Sequence, residues 1–409
     1  MRLAILQQSY SLHNQSTELT PLHVLMVNRG VFHVPPYESG GGAETHAYKL
    51  SNYLADEETR VDFITRVGPD ARFAPFIKVH EIFPKRGVIP PKIGFSGWIL
   101  KHLLANLLAF ATASRVIVKQ RARSFDVIHC HGGLSCLLIS IFFGRTTPVV
   151  YTAHDPSPWT AYYRGKPERI LRKIAHISIE VPCVRLASKI ICVNPSLAKE
   201  MRRWGVTAEK LVVLPSGARS VSESNLEKSD SQGYGLFVGQ LVPRKGVETL
   251  VKAFAKLTNK NLRLVIVGEG PERKNLMQLK ENLQIDGTIE FPGYVEEGKL
   301  AALHRHAAFF VFPSLAEGFS LALLNAASYG LPLVVSNASA DGLNLIDRKD
   351  CLLFPTSDVA ELARLMDLVS IDGKLRDRLS AGAIEFARRQ MSWREVAEKL
   401  RSLYANLGE

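Results

Sequence analysis

The sequence predicts an α/β chain folded as two domains, and three features carry that prediction. At 409 residues it exceeds the size at which a single core usually stops growing. Short apolar runs of strand length alternate with helix-period segments along both halves. Midway, a Ser-rich polar stretch, Ala218 to Gly233, interrupts the pattern, and a fresh strand begins at Tyr234.

Composition narrows the class. Apolar residues make up 46% of the chain, enough for two cores. The five cysteines, an odd number without C-x-x-C spacing, read as a reducing, cytoplasmic compartment. Residues 1–21 read as a loose leader, because Met1 to Thr20 lacks a basic start followed by an apolar core. No apolar run reaches transmembrane length. The formal charge of +12 is concentrated between Arg72 and Ser124, where ten Lys and Arg residues stand against one acid, Glu81. That stretch lacks a nucleic-acid module or interleaved stacking aromatics. It points instead to an anionic membrane surface or a phosphorylated acceptor.

Taken in order, Leu22 to Val27 is a short apolar strand. A loop with Gly40, Gly41 and Gly42 follows, then a helix from Ala43 with Ala47, Leu50, Tyr53 and Leu54 on one face. A glycine turn between strand and helix lets backbone approach a ligand closely, although the spacing is not the dinucleotide fingerprint. Glu44 falls in the first helical turn, where it also complements the helix dipole. Val61 to Thr65 is the second strand. Ile93 to Val118 includes a long apolar helix rimmed by the basic residues. Its stripe of Trp98, Leu103, Leu107 and Phe110 either packs on the sheet or dips into a lipid interface. Asp126 to Cys130 is a strand leading to His131; His129 and His131 share a side, but no third metal ligand is near. Pro148 to Thr152 leads to His154, at the strand end where α/β sheets bind ligands, or simply a loop histidine. Lys189 to Val193 and Leu211 to Leu214 complete the half.

In the second half, the strand Tyr234 to Val238 ends in Gly239-Gln240-Leu241-Val242-Pro243-Arg244-Lys245-Gly246. Leu262 to Val267 precedes Gly268-Glu269-Gly270-Pro271, and Ile289 to Phe291 precedes Gly293-Tyr294-Val295. Ala308 to Ser336 organises this half. Phe309 to Phe312 is a buried strand, Ser314 to Gly318 a loop carrying Glu317, and Ser320 to Tyr329 a helix with Leu321, Leu324 and Ser328 on one face; Leu333 to Val335 is the next strand. A helix that opens straight after a buried strand leaves the N–H groups of Phe319, Ser320 and Leu321 available to a phosphate, with Glu317 just outside. Taken alone, an ordinary βα loop with a solvated Glu fits equally well.

In their order and spacing these segments resemble the retaining, nucleotide-sugar-dependent glycosyltransferases of family 4, which have the GT-B fold: two Rossmann-like domains facing across a cleft. The resemblance covers nearly the whole chain after Leu22. It implies an acceptor domain at 22–217, a linker at 218–233, a nucleotide-sugar domain at 234–390, and a final segment, 391–409, whose helix from Trp393 crosses back to the first domain. It also implies roles. Glu317, the first acid of E-x7-E, would touch the donor sugar; the second position, which touches the ribose, holds Asn325 instead of Glu. Lys245 matches the diphosphate lysine of G-R-L-x-x-x-K-G. The arginine position of that motif holds Gln240, which loses a charge-assisted bond that Arg244 could partly replace. Gly42, from the G-G-x-E element, would pack near the donor phosphates. Gly268, Tyr294 and Val295 would lie along the nucleotide, His154 against the transferred sugar, and Glu44 and His131 towards the acceptor.

The expected activity is retaining transfer of a hexosyl unit from a UDP- or GDP-sugar to an acceptor hydroxyl, with Glu317, His154 and Lys245 as catalytic residues. The acceptor is expected to be a sugar or a lipid-linked molecule, in glycolipid, cell-envelope or polysaccharide synthesis, with the enzyme in peripheral contact with the inner face of the membrane. No Asp-x-Asp is present, so neither a metal nor a cofactor beyond the donor is expected. The rival reading is a catalytically weak or silent GT-B binding subunit, suggested by Gln240 and Asn325. A GT-B epimerase is a third, for which no catalytic acids can be identified.

Overall fold

The structure, a computed structural model, describes residues 21–29, 33–34, 42–68, 71–82, 95–120, 125–154, 174, 176–221, 233–285, 287–340 and 343–407, with the side chains of 33–34, 95–102 and 176 excepted. The first sheet contains β1 (Leu22–Val27), β2 (His33–Val34), β3 (Thr59–Val67), β4 (Ile77–Glu81), β5 (Val127–Cys130), β6 (Val149–Ala153), β7 (Lys189–Cys192) and β8 (Leu211–Val213). Its order is β2-β3-β1-β5-β6-β7-β8, with β4 also on β3, and every pairing is parallel. Helices α1 (Gly42–Leu54), α2 (Phe95–Gln120), α3 (Gly133–Phe143), α4 (Val181–Leu186) and α5 (Pro195–Arg203) connect the strands. Because successive side chains of a strand point to opposite faces, β1 feeds two cores. Val24 and Met26 pack with Ala47 and Leu50 of α1, whereas Leu25 and Val27 pack with Ala109 and Ala113 of α2.

The second sheet contains β9 (Tyr234–Val238), β10 (Leu264–Val267), β11 (Ile289–Gly293), β12 (Ala307–Phe312), β13 (Leu333–Ser336) and β14 (Leu352–Phe354). It is again parallel, in the order β11-β10-β9-β12-β13-β14. Around it lie α6 (Val247–Ala255), α7 (Arg273–Asn282), α8 (Glu297–His306), α9 (Leu321–Ser328), α10 (Asn337–Ala340), α11 (Val359–Ile371) and α12 (Gly373–Arg388). The unbroken run Phe309 to Phe312 is buried on both faces, as a central parallel strand must be. The last helix, α13 (Trp393–Ala405), returns to the first domain, where Trp393, Val396, Leu400 and Tyr404 join the core of α1. A capping box between Ser392 and Glu395 starts it, and Arg401 anchors it to Thr59 Oγ1 at 2.9 Å.

Several sequence expectations shift. Of the face read on α1, Ala47, Leu50 and Leu54 are buried but Tyr53 is exposed, because it lies at the edge of the stripe, where its hydroxyl reaches solvent. The strand read as Val61 to Thr65 runs from Thr59 to Val67; its polar residues Thr59, Arg60 and Arg66 mask the ends. The strands β2 and β4 were not anticipated, because neither His33–Val34 nor the half-buried IKVHE has a clean apolar alternation. The strand read from Leu262 starts at Leu264. Within the expected linker, Ala218 is already buried and bridged to Ser392, and Val221 packs on the second core; residues 222–232, like 1–20, lie outside the described residues. All five cysteines are free and buried. No helix is long and apolar enough, among the described residues, to cross a membrane.

The α2 stripe divides: Phe110 packs against the core as one reading had it, and Leu103 and Leu107 do not. Small residues, Ala105, Ala109 and Ala113, face the core, while Leu103 and Leu107 face outward at 37% and 45% exposure. Trp98 lies outside the residues whose side chains are described.

Candidate active site

In each sheet the chain leaves a central strand to one side and later returns to the other. That reversal opens a crevice at the carboxyl ends of β1 and β5 in the first sheet, and of β9 and β12 in the second. His131 follows β5, Gln240, Arg244 and Lys245 follow β9, and Glu317 to Leu321 follow β12, so these residues lie at the two mouths; Gly268, Tyr294 and Val295 follow the neighbouring strands β10 and β11.

At the second mouth, the loop after β9 and the loop after β12 clasp each other. Leu315 N–H donates to Arg244 O at 2.8 Å, and Arg244 Nη1 donates to Ala316 O at 3.2 Å. Gly246 makes this possible. Its φ is +64°, and a Cβ there would stand 2.1 Å from Pro313 O. The clasp brings three charges together. Lys245 Nζ donates to Glu317 Oε1 at 2.6 Å and sits 5.0 Å from the Phe312 ring centre, while Arg244 Nη1 is 3.6 Å from Glu317 Oε2. Glu317 is almost wholly buried and Lys245 largely so. A carboxylate and a lysine desolvated together gain little stability from pairing. The group is better understood as charge held ready in a low-dielectric crevice.

The other expected donor residues lie in the segments that follow β9, β10, β11 and β12. Ser320 caps α9, its hydroxyl accepting from Leu323 N–H at 3.2 Å. Asn325 is half-buried one helical turn beyond Leu321. Gln240 is half-buried in the loop after β9. Gly268 owes its identity to packing: with φ at +137°, a Cβ would lie 1.9 Å from Gly239 O. Tyr294 is exposed beside the end of β11, and the half-buried Val295 packs on the core. The side chains of Phe319 and Leu321 have a use the sequence did not reveal. Phe319 packs against the cores of both domains, and Leu321 against that of the first. Asn194 of the first domain donates from Nδ2 to Gly318 O across the same seam.

At the first mouth four histidines cluster. His131 Nδ1 and His154 Nε2 share a hydrogen bond of 2.9 Å. His46 Nδ1 bonds Ser216 Oγ at 2.7 Å, with its ring 4.8 Å from that of His154 and 5.4 Å from Trp393. His129 bonds Thr152 Oγ1 through Nε2, at 2.6 Å, and the Tyr404 hydroxyl through Nδ1. Burial lowers the pKa of all four, to about 3 for His46 and His129 and well below the ordinary value for His131 and His154. The rings are therefore neutral at pH 7. His131 Nε2 is buried without a hydrogen-bond partner among the described residues. Both ring nitrogens of His129 are occupied, and no group of three His, Cys, Asp or Glu among the described residues is disposed to hold a metal.

Glu44 and His131, expected towards an acceptor, are buried. Glu44 is paired with Arg29, whose Nη2 and Nε donate to it at 3.1 and 3.3 Å. Gly42 opens α1 and is exposed, with open space where a Cβ would stand; Gly40 and Gly41 lie outside the described residues. Sequence reasoning missed Arg29, His46 and Asn194. Arg29 follows β1 at the switch point, which was a usable signal, and Asn194-Pro195 is a legible helix start. Nothing local marks His46.

Known proteins share this architecture. Sucrose-phosphate synthase from Thermosynechococcus elongatus superposes with a TM-score of 0.77 at 20% identity, covering 95% of this chain and 99% of that one. HepE of Anabaena, solved with UDP-glucose, gives 0.69 at 17% identity, covering 94% and 100%. In sequence, a D-inositol 3-phosphate glycosyltransferase of Corynebacterium efficiens is 26% identical over 403 residues, 91% of this chain and 92% of the relative. A 2-deoxystreptamine N-acetyl-D-glucosaminyltransferase of Niallia circulans is 21% identical over 343 residues, 79% and 87% of the two chains. Two family models divide the chain between its sheets, Glycosyltransferase Family 4 over residues 40–219 and Glycosyl transferases group 1 over residues 220–386. The chain thus belongs to the group 1 glycosyltransferases of family 4, GT-B enzymes of nucleotide-sugar glycosyl transfer.

Proposed function

We propose that this enzyme moves a hexosyl unit from a nucleoside diphosphate sugar to a hydroxyl of a sugar or cyclitol acceptor, with retention and without a metal ion. The Lys245–Arg244–Glu317 group, at a mouth that adjoins the histidine-lined one, carries this reading. The diphosphate draws Lys245 away from Glu317, and Lys245, Arg244 and the N–H groups opening α9 take up the negative charge that develops on the leaving group. Glu317, so released, orients the sugar hydroxyls. His154, its pKa held well below the ordinary value by desolvation, offers the sugar a hydrogen bond without a charge. Gln240 and Asn325 hold the nucleotide, Gly42 lets it approach, and Tyr294 and Val295 flank the base. Glu44 and His131 shape the acceptor side. UDP is the favoured nucleotide, since HepE was solved with UDP-glucose. The cyclitol class is supported by the names of the relatives, whose acceptors are an inositol phosphate and 2-deoxystreptamine.

The test is a melting panel with UDP, GDP and their sugars, run on the wild type and on Asn325→Glu. An amide presents one acceptor oxygen where a carboxylate presents two charged ones. Its grip on the ribose is weaker by about 1 kcal/mol, a several-fold effect on affinity. One nucleotide should raise the melting temperature of both forms, and calorimetry should find it bound several-fold tighter by Asn325→Glu. If neither form binds any nucleoside diphosphate, the silent-subunit reading replaces this one.

The setting we favour is glycolipid, envelope or polysaccharide synthesis at an anionic membrane. Leu103 and Leu107 of α2 and Ile141 and Phe142 of α3 are exposed, and Arg115, Lys119 and Arg145 are exposed on the same two connected segments. An apolar face edged by cations suits an anionic bilayer. Vesicles containing phosphatidylglycerol should co-sediment the protein at low salt and release it at high salt. Equal binding to neutral vesicles, or none to either, would remove the membrane from the proposal.

A further inference from the structure

The seam between the domains contains one polar contact with a specific geometry. Asn194 is 3% exposed and caps α5, its Oδ1 accepting from Leu197 N–H at 2.7 Å. That bond decides which way the carboxamide faces: with the oxygen committed to the helix, Nδ2 is the atom that meets Gly318 O in the other domain. Gly318 adjoins Glu317 on one side and, on the other, Phe319, whose ring packs against both cores. The loop that carries Glu317 is thus gripped from both domains. Arg244 and Lys245 hold it from the second, and Asn194 holds it from the first.

We propose that Asn194 is a positioning residue for transfer, fixing the Glu317–Gly318 backbone only when the two domains are together. This rests on the reading above, in which Glu317 orients the donor sugar. In that reading the side chains that hold the nucleotide, Gln240, Arg244, Lys245 and Asn325, all belong to the second domain, and Gly42 of the first only leaves it room, so the nucleotide binds whether or not the seam is made. The sugar is aligned for transfer only when the first domain closes on Gly318. Asn194 therefore acts on turnover and leaves nucleotide affinity alone, linking domain closure to the geometry of the reacting centre.

The test uses two variants that keep the helix cap. Asn194→Asp retains an acceptor for Leu197 N–H but sets a carboxylate against the Gly318 carbonyl. Asn194→Ser also caps a helix but is too short to span the seam, and it adds no repulsion. Binding of UDP and GDP is measured by calorimetry. Turnover is followed as release of UDP or GDP from saturating UDP-glucose, UDP-N-acetylglucosamine or GDP-mannose, with D-inositol 3-phosphate and with water as acceptor. Both variants should bind nucleotide within about threefold of wild type and turn over at least about tenfold more slowly, a kcat effect without a matching affinity effect. Unchanged turnover overturns the proposal. So does a parallel loss of turnover, nucleotide affinity and melting temperature, which would mark Asn194 as a structural cap only. A wild type that neither binds nor releases a nucleoside diphosphate is a different result: it fails the proposed function itself, and this inference with it.

Discussion

Lys245→Ala should lower kcat/KM by about 30- to 1,000-fold, or 2–4 kcal/mol of transition-state stabilisation. Lys245 projects from the turn that Gly246 allows and reaches Glu317, 72 positions away in the sequence. In the proposed reaction it sets a positive charge against the leaving diphosphate, in a crevice where charges are little screened. Arg244 limits the loss, because it approaches the same carboxylate from the same loop. Part of the cost appears in stability. Without Lys245 the buried Glu317 keeps only the more distant Arg244, and a buried carboxylate stripped of its closest partner is destabilising. Initial rates over a range of donor concentrations, read beside melting curves, separate the two effects. Lys245→Arg should recover part of the rate, because it restores charge but not the compact ammonium that sits over Phe312. Unchanged kinetics in Lys245→Ala would remove this residue from the site.

Stability should fall steeply in mild acid. His46, His129 and His131 are buried, and the half-buried His154 packs against His46 and His131. Burial depresses their pKa values, and the charge of Arg29 adds to the effect on His131 and His154. In the unfolded chain each imidazole gains a proton near pH 6.5, whereas His46 and His129 in the folded protein gain one only near pH 3. Between those values the unfolded state binds more protons, so stability rises with pH through this window and is flat above it. Each pH unit below 6.5 costs at most about 1.4 kcal/mol per histidine, and the cluster together several kcal/mol by pH 5. Urea unfolding at pH 7.5, 6.5, 5.5 and 5 measures this directly. A stability constant down to pH 5 would mean that the rings already carry protons or that the cluster opens freely to water. The cluster also ties α13 to the first sheet, through Tyr404 on His129 and Trp393 against His46. Acid should therefore loosen the returning helix early, with a change in tryptophan fluorescence ahead of global unfolding.

What the sequence determined by itself follows from local physics. Apolar runs such as LHVLMV, LVIV and AFFVF are too short for helices and too apolar for solvent, so they had to be buried strands. Gly246 and Pro313 punctuated them, and Glu317 and Lys245 stood out as charges at strand ends, where a parallel sheet opens to ligands. The order of those segments was enough to name the family. Partnership was what only the tertiary structure could decide. Lys245 with Glu317, Arg29 with Glu44, His129 with Tyr404 and Asn194 with Gly318 are separated by 72, 15, 275 and 124 positions. No periodicity links such pairs, because strand order and the return of α13 bring them together. The outward leucines of α2 belong to the same class. A stripe read along one helix names a face, but whether alanines or leucines meet the sheet depends on how closely the helix approaches it. Here Ala105, Ala109 and Ala113 took the inner face and left Leu103 and Leu107 outside, because small side chains let the helix backbone lie close against the strands.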